Sequence, residues 1–128
     1  MSQPNTPIDV YKAIIDQLVR QTRTYGPSAR VADTSLYPNA FAQEEYNEFV
    51  CSLSEEQRNL LSRMLQDARD GAIHDVLAEL TWWIDCHDVG LTYKGKRMPV
   101  QLSGMGLHGD YIGRLDDWNW PNTDETHR

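Results

Sequence analysis

The sequence predicts a mainly α protein (α+β): an irregular four-helix body with a C-terminal β-hairpin and a Gly/Trp-rich segment packed on it. Three observations predict it. Apolar residues recur at three- and four-residue spacing from Ile8 to Ile84, the period of helices that bury one face. Thr6-Pro7 and Ser54-Glu55-Glu56-Gln57 precede two of those runs and have the form of helix starts. After Gly90 the texture changes to short alternating runs punctuated by glycine.

In chain order, residues 1–5 are expected to be disordered. Thr6 caps and Pro7 opens a first helix over 7–24, with Tyr11, Ile14, Ile15, Leu18 and Val19 recurring on one face. Gly26-Pro27 stops it. Residues 26–39 form a long connection whose Val31, Leu36 and Tyr37 wrap onto the core. Asn39 caps a second helix with Phe41, Tyr46, Phe49, Val50 and Leu53 inward. The Ser54 capping box starts a third, carrying Leu60, Leu61, Met64, Leu65 and Ala68, which Gly71 ends or kinks. A fourth runs over 72–88, with Gly90 just past its end as the C′ residue. The expected shared core of the third and fourth helices is Leu60, Leu61, Leu65, Leu77, Leu80 and Ile84. Residues 91–100 read as a hairpin turning at Lys94-Gly95-Lys96. Residues 103–113 read as a cluster of Gly-rich turns, and 122–128 as a disordered tail. At 128 residues the chain is expected to be a single domain over 1–128.

The formal net charge is −7, and its distribution is uneven. Residues 1–90 hold 7 bases and 14 acids, whereas 91–128 hold five of each. Phosphate contacts need clustered Lys and Arg, so nucleic acid is not an expected partner. No apolar run approaches the length that spans a bilayer, so no membrane is expected either. Cys51 and Cys86 make no close-spaced metal or redox pair. MSQPNTPIDV lacks the basic and apolar regions of a secretory signal, so a cytoplasmic location is expected.

The most distinctive stretch is Asp70–Asp88, with five acids, no Lys or Arg, and the pair Trp82-Trp83. On a helical wheel Ile73, Val76, Leu77, Leu80, Trp83 and Ile84 share the core arc. Trp82 falls opposite, among Asp75, Glu79, Asp85 and Cys86. The partner-binding residues expected from this are Asp75, Glu79, Trp82 and Asp85. In the competing arrangement the C-terminal segment, with Trp118 and Trp120, folds back over Trp82. His87 is expected in the apolar arc. His74 and Asp85 stand eleven residues apart, about 16 Å along a helix, too far to share a metal.

Glu44-Glu45-Tyr46-Asn47-Glu48 forms an E-E-x-x-E pattern that resembles the first magnesium-binding motif of the all-α MazG-type nucleotide pyrophosphohydrolases. That family continues with E-x-x-D on a later helix. Here the nearest equivalent is Asp67-Ala68-Arg69-Asp70, which departs at the first position and carries an Arg inside. The resemblance implies an alternative function as a metal-dependent hydrolase, with Glu44, Glu45, Glu48 and Asp70 as ligands. Ser103, His108 and Asp110 fall within eight residues and lack a nucleophile elbow. Gly104-Met105-Gly106 and Gly109 resemble half a phosphate loop, without a following helix signal. Lys94, Lys96 and Arg97 form a basic hairpin tip that would suit the acidic 70–88 face, within one chain or between two.

The function expected from the sequence is therefore a small acidic interaction protein of inhibitor, immunity or regulatory type. It would bind a basic protein partner, or pair as a homo-oligomer, through an acidic, Trp-bearing helix face. No cofactor is implied.

Overall fold

The structure, a computed structural model, describes residues 4–24, 27–34 and 44–122. It contains α1 (Pro7–Thr24), α2 (Pro27–Thr34), α3 (Glu44–Cys51), α4 (Glu55–His87), β1 (Thr92–Tyr93), β2 (Lys96–Arg97) and α5 (Gly106–Leu115). The chain is mainly helical, with a small C-terminal hairpin. It divides into two compact units, Met1–Val19 with Ile73–Arg128, and Arg20–Ala72. The expected disorder at 1–3 and 123–128, the Asn39 cap, and Leu36, Tyr37 and Phe41 lie outside the described residues.

The first unit begins where the sequence places it. Thr6 Oγ1 accepts the Asp9 N–H at 3.2 Å, and the Thr6 carbonyl accepts from Val10 at 2.9 Å. The buried face of α1 delivers Tyr11 and Ile15 to a core that also holds Leu77, Met98, Leu107 and Tyr111. Ile73, Leu80, Ile84, Leu91, Tyr93, Leu115 and Trp120 pack around it. In the hairpin Thr92 pairs with Arg97 and Tyr93 with Lys96. Lys94 and Gly95 both take positive φ, 51° and 79°, so this is the primed two-residue turn whose twist matches the strands. Met98 N–H closes the ladder on the Leu91 carbonyl at 2.8 Å.

Residues 106–115 correct the expectation of Gly-rich turns, for they form helix α5. Glycine is a poor helix former, and here it is used for close approach. A Cβ at Gly109 would stand 2.6 Å from Cβ of Met105, and one at Gly113 would stand 3.1 Å from the Trp118 ring. Gly106 has φ 85°, and a side chain there would collide with the His108 ring. The α5 start is satisfied from a distance. Leu107 N–H donates to Thr81 Oγ1 at 2.9 Å, and that hydroxyl donates to the Leu77 carbonyl at 2.8 Å.

Asp110 is fully buried, and it organises the segment before α5. Its carboxylate accepts the Tyr11 hydroxyl at 2.5 Å and the backbone N–H groups of Leu102 and Ser103 at 2.8 Å each. Burial first, then the hydrogen bond and charge of Asp110, push the Tyr11 phenol well above its ordinary range. A folded-state pKa above the unfolded one means that the folded chain holds this proton longer. Stability from this pair is therefore present below about pH 10 and declines above it, by up to about 1.4 kcal/mol per pH unit. We expect Tyr11→Phe to remove that part of the alkaline decline, measured as unfolding free energy between pH 8 and about 11 against the parent chain.

In the second unit Ser54 and Gln57 form the capping box: Ser54 N–H donates to Gln57 Oε1 at 2.9 Å, and Gln57 N–H to Ser54 Oγ at 3.1 Å. The expected 26–39 connection contains a helix, α2, because a proline after Gly26 suits the first position of a new helix. Val31 is buried, in keeping with the expectation of wrapping, and Ser28 Oγ donates to Gln66 Oε1 at 2.8 Å. Residues 55–87 form one helix rather than two. Gly71 costs only about 1 kcal/mol inside a helix, and long helical runs on both sides outweigh it. Two stretches of one helix cannot pack on each other. Leu77, Leu80 and Ile84 accordingly belong to the first unit's core without Leu60, Leu61 or Leu65. Leu60 is exposed, Leu61 and Leu65 are half-buried and Val50 is buried. Tyr46 and Phe49, expected inward, are instead exposed along a groove they line with Leu61, Leu65 and Val50, because a short helix of eight residues buries only one of its side chains fully. The end of α4 also differs from expectation. The left-handed residue is Asp88, with φ 59°, and Asp tolerates that region better than most. Gly90 instead admits Arg97, whose Cζ would lie 2.9 Å from a Cβ at that position.

Candidate functional site

The strongest candidate is the solvent face of α4 within the first unit. Its orientation is set from the inside. Ile73, Leu77, Leu80 and Ile84 turn inward, and the Thr81 hydroxyl is drawn in by the Leu107 N–H. Including Thr81 rotates the buried arc by about 50° from an arc drawn on apolar residues alone. Three sequence expectations change as a result. Val76 is 66% exposed, Trp83 is 43% exposed rather than buried, and His87 is exposed.

Trp82, 49% exposed, sits on the outer face as expected. Trp118 and Trp120 do not cover it. Trp118 packs on Gly113, while Trp120 meets Tyr11 edge-on and donates from Nε1 to Asp16 Oδ2 at 3.0 Å. Arg114 holds the same carboxylate at 2.7 Å and lies over the Trp120 ring. Trp82 instead meets Trp83 edge to face, ring centroids 5.2 Å apart, and the His87 ring contacts both at 4.5 and 4.6 Å. These three rings form an exposed aromatic cluster at the end of the helix.

An open groove runs beside Trp82, lined by Asp75, Ala78, Glu79 and Trp82. Asp75 and Glu79 are exposed and stand one turn apart. Trp83 Nε1 donates to Glu79 Oε2 at 3.1 Å, and His74 Nδ1 lies 3.3 Å from Asp75 Oδ1. Asp85 is not among the lining residues; it is exposed three residues beyond Trp82 and accepts Gln101 Nε2 at 2.8 Å. Thus three of the four expected residues line one groove, and the fourth, Asp85, lies outside that lining, tied to the segment that Asp110 anchors. The sequence reading missed Trp83 as the holder of Glu79 and Gln101 as the partner of Asp85. The i, i+4 spacing of Glu79 and Trp83 was the available signal for the first.

The other candidates are not assembled. Among the described residues no three His, Cys, Asp or Glu side chains come together as a metal ligand set, so Glu44, Glu45 and Glu48 on α3 and Asp70 on α4 do not form one. Asp70 accepts Gln66 Nε2 at 3.0 Å. Asp110 is enclosed, Ser103 Oγ accepts the Met105 N–H, and His108 faces Thr81 Oγ1 at 3.5 Å and the His74 ring at 5.0 Å, so the three make no nucleophilic triad. Cys51 and Cys86 are exposed and form no disulfide with each other. No helix among the described residues is long and apolar enough to cross a membrane.

A helical body whose outer α4 face joins carboxylates to an open indole is a protein with a candidate docking surface. The chain belongs to the DUF6547 family, a family of unknown function, whose model matches residues 4–122. No curated protein and no solved structure matches it.

Proposed function

We propose that this chain is a small acidic interaction protein of the inhibitor, immunity or regulatory kind, acting in the cytoplasm, that docks a basic protein partner through Asp75, Glu79, Trp82 and Asp85. The observation that carries this reading is Trp82, half in solvent beside two exposed carboxylates, on a stretch with no Lys or Arg between residues 70 and 88. Charge complementarity speeds encounter with a basic surface, and a buried Trp supplies affinity at small entropic cost. Charge reversal at Asp75 and Glu79 together should slow association and flatten its dependence on salt, leaving the fold unchanged. Association rates that keep the parent chain's salt dependence would overturn the reading.

A second reading is self-association, with the exposed Lys96 and Arg97 of one copy meeting the acidic face of another. Among the described residues no ion pair joins this hairpin to Asp75, Glu79 or Asp85 within one chain. Sedimentation at low and high salt separates the two readings: a salt-sensitive dimer favours self-pairing, and a monomer at both favours a foreign partner. For the docking protein proposed here, magnesium or manganese leaves the thermal midpoint unchanged. A metal-dependent hydrolase would be stabilised by either ion.

A further inference from the structure

We infer that the groove between Asp75, Ala78, Glu79 and Trp82 receives the side chain of an arginine, not a lysine, presented by the basic partner. The inference rests on the docking reading above and names the group that the face recognises. Three features of the groove lead to it. The first is the open indole of Trp82. The residue one turn before it, Ala78, lines the same groove with no more than a methyl, and Trp82 is half in solvent although Trp83 and His87 touch its ring. The second is the pair of carboxylates at Asp75 and Glu79, which line the same groove and stand four residues apart. The third is that Glu79 is held. Its Oε2 accepts the Trp83 indole N–H at 3.1 Å, which restrains a side chain that would otherwise sample many rotamers. A carboxylate offers about four acceptor sites on two oxygens, so this bond leaves capacity for another donor.

The two basic side chains use such a site differently. A guanidinium is planar and weakly hydrated, so it can lie on an aromatic face while its edge donates to carboxylates. An ammonium is a compact, strongly hydrated point charge that can pair with a carboxylate but gives up more water to approach a ring. The groove combines a half-exposed indole with a held acceptor, Glu79, and a second carboxylate, Asp75, which favours the planar group. Val76 and Trp83, exposed on the same stretch of α4, add apolar surface that suits the aliphatic stem of a long side chain. In this arrangement Trp83 is a positioning residue, acting through Glu79.

The test follows the indole N–H resonance of Trp82 in the full chain during titration with amidated penta-arginine and penta-lysine, which carry equal charge. Penta-arginine should bind about two- to fivefold more tightly, the scale of one exposed cation–π contact. Trp83→Phe keeps a ring and removes the N–H. It should bring the ratio toward one while the other backbone resonances stay in place, a change that loss of packing alone would not produce. Equal affinities for the two peptides, or no saturable shift at Trp82, would overturn the arginine assignment. If a basic partner is nevertheless captured through this face, the docking reading survives and only the choice of arginine fails.

Discussion

Asp110→Ala is expected to cost about 3–5 kcal/mol of folding stability, the largest single effect in the molecule. The carboxylate is fully buried and accepts from three donors at once, the Tyr11 hydroxyl and the N–H groups of Leu102 and Ser103. Removing it leaves those donors inside the protein without an acceptor, each costing about 1–3 kcal/mol if nothing relaxes. Asp110→Asn keeps the shape and one carbonyl oxygen, so it should retain part of the network and lose about 1–3 kcal/mol. Equilibrium unfolding in denaturant reads both. A loss below about 1 kcal/mol for the alanine variant would mean that the 101–103 segment is held by its apolar contacts alone. The network also reaches the proposed docking face, because Gln101, adjacent to the anchored residues, holds Asp85.

The second large effect is expected at Trp82, and it appears in binding rather than folding. Trp82→Ala should weaken partner affinity by about 2 kcal/mol or more, roughly thirtyfold, as truncation of a central aromatic anchor does. Its effect on stability should stay within about 1 kcal/mol, since half the side chain already faces solvent. Truncation after Asp117 should do the reverse. It removes Trp118 and Trp120, and with them the packing on Gly113, the edge contact to Tyr11 and one bond to Asp16. The truncated chain should melt lower while Trp82 remains open. Comparable stability losses for Trp82→Ala and the truncation would show the C-terminal segment lying over Trp82, and would refute the anchor.

What the sequence made legible was local. Thr6 and the Ser54–Gln57 pair signal helix starts because a cap is satisfied within four residues of itself. Lys94-Gly95 signals a turn for the same reason. The features that escaped depend on residues far apart in the chain. Gly109 and Gly113 argue against a helix by propensity, yet α5 needs them because Met105 and Trp118 press against those positions. Thr81 looks like a neutral polar residue until Leu107, 26 positions later, brings it its N–H, and that bond turns Trp83 outward. Asp110 reads as an exposed turn residue until Tyr11, 99 positions away, closes on it. The acidic outer face was legible because it needs only the 3.6-residue period and the absence of bases. The hydrogen bonds that orient Glu79 and Asp85 are details of three-dimensional placement.

The central claim, that the Asp75–Glu79–Trp82 face of α4 is a docking surface for a basic partner, is tested most directly by a three-way capture. The parent chain, Trp82→Ala and the double reversal Asp75→Lys/Glu79→Lys are immobilised and exposed to the same native lysate at low and at high salt. A basic protein should be retained by the parent chain at low salt, released at high salt, and missing from both variants, with all three baits equally folded by circular dichroism. Retention of the same proteins by all three baits, or capture indifferent to salt, would contradict the claim.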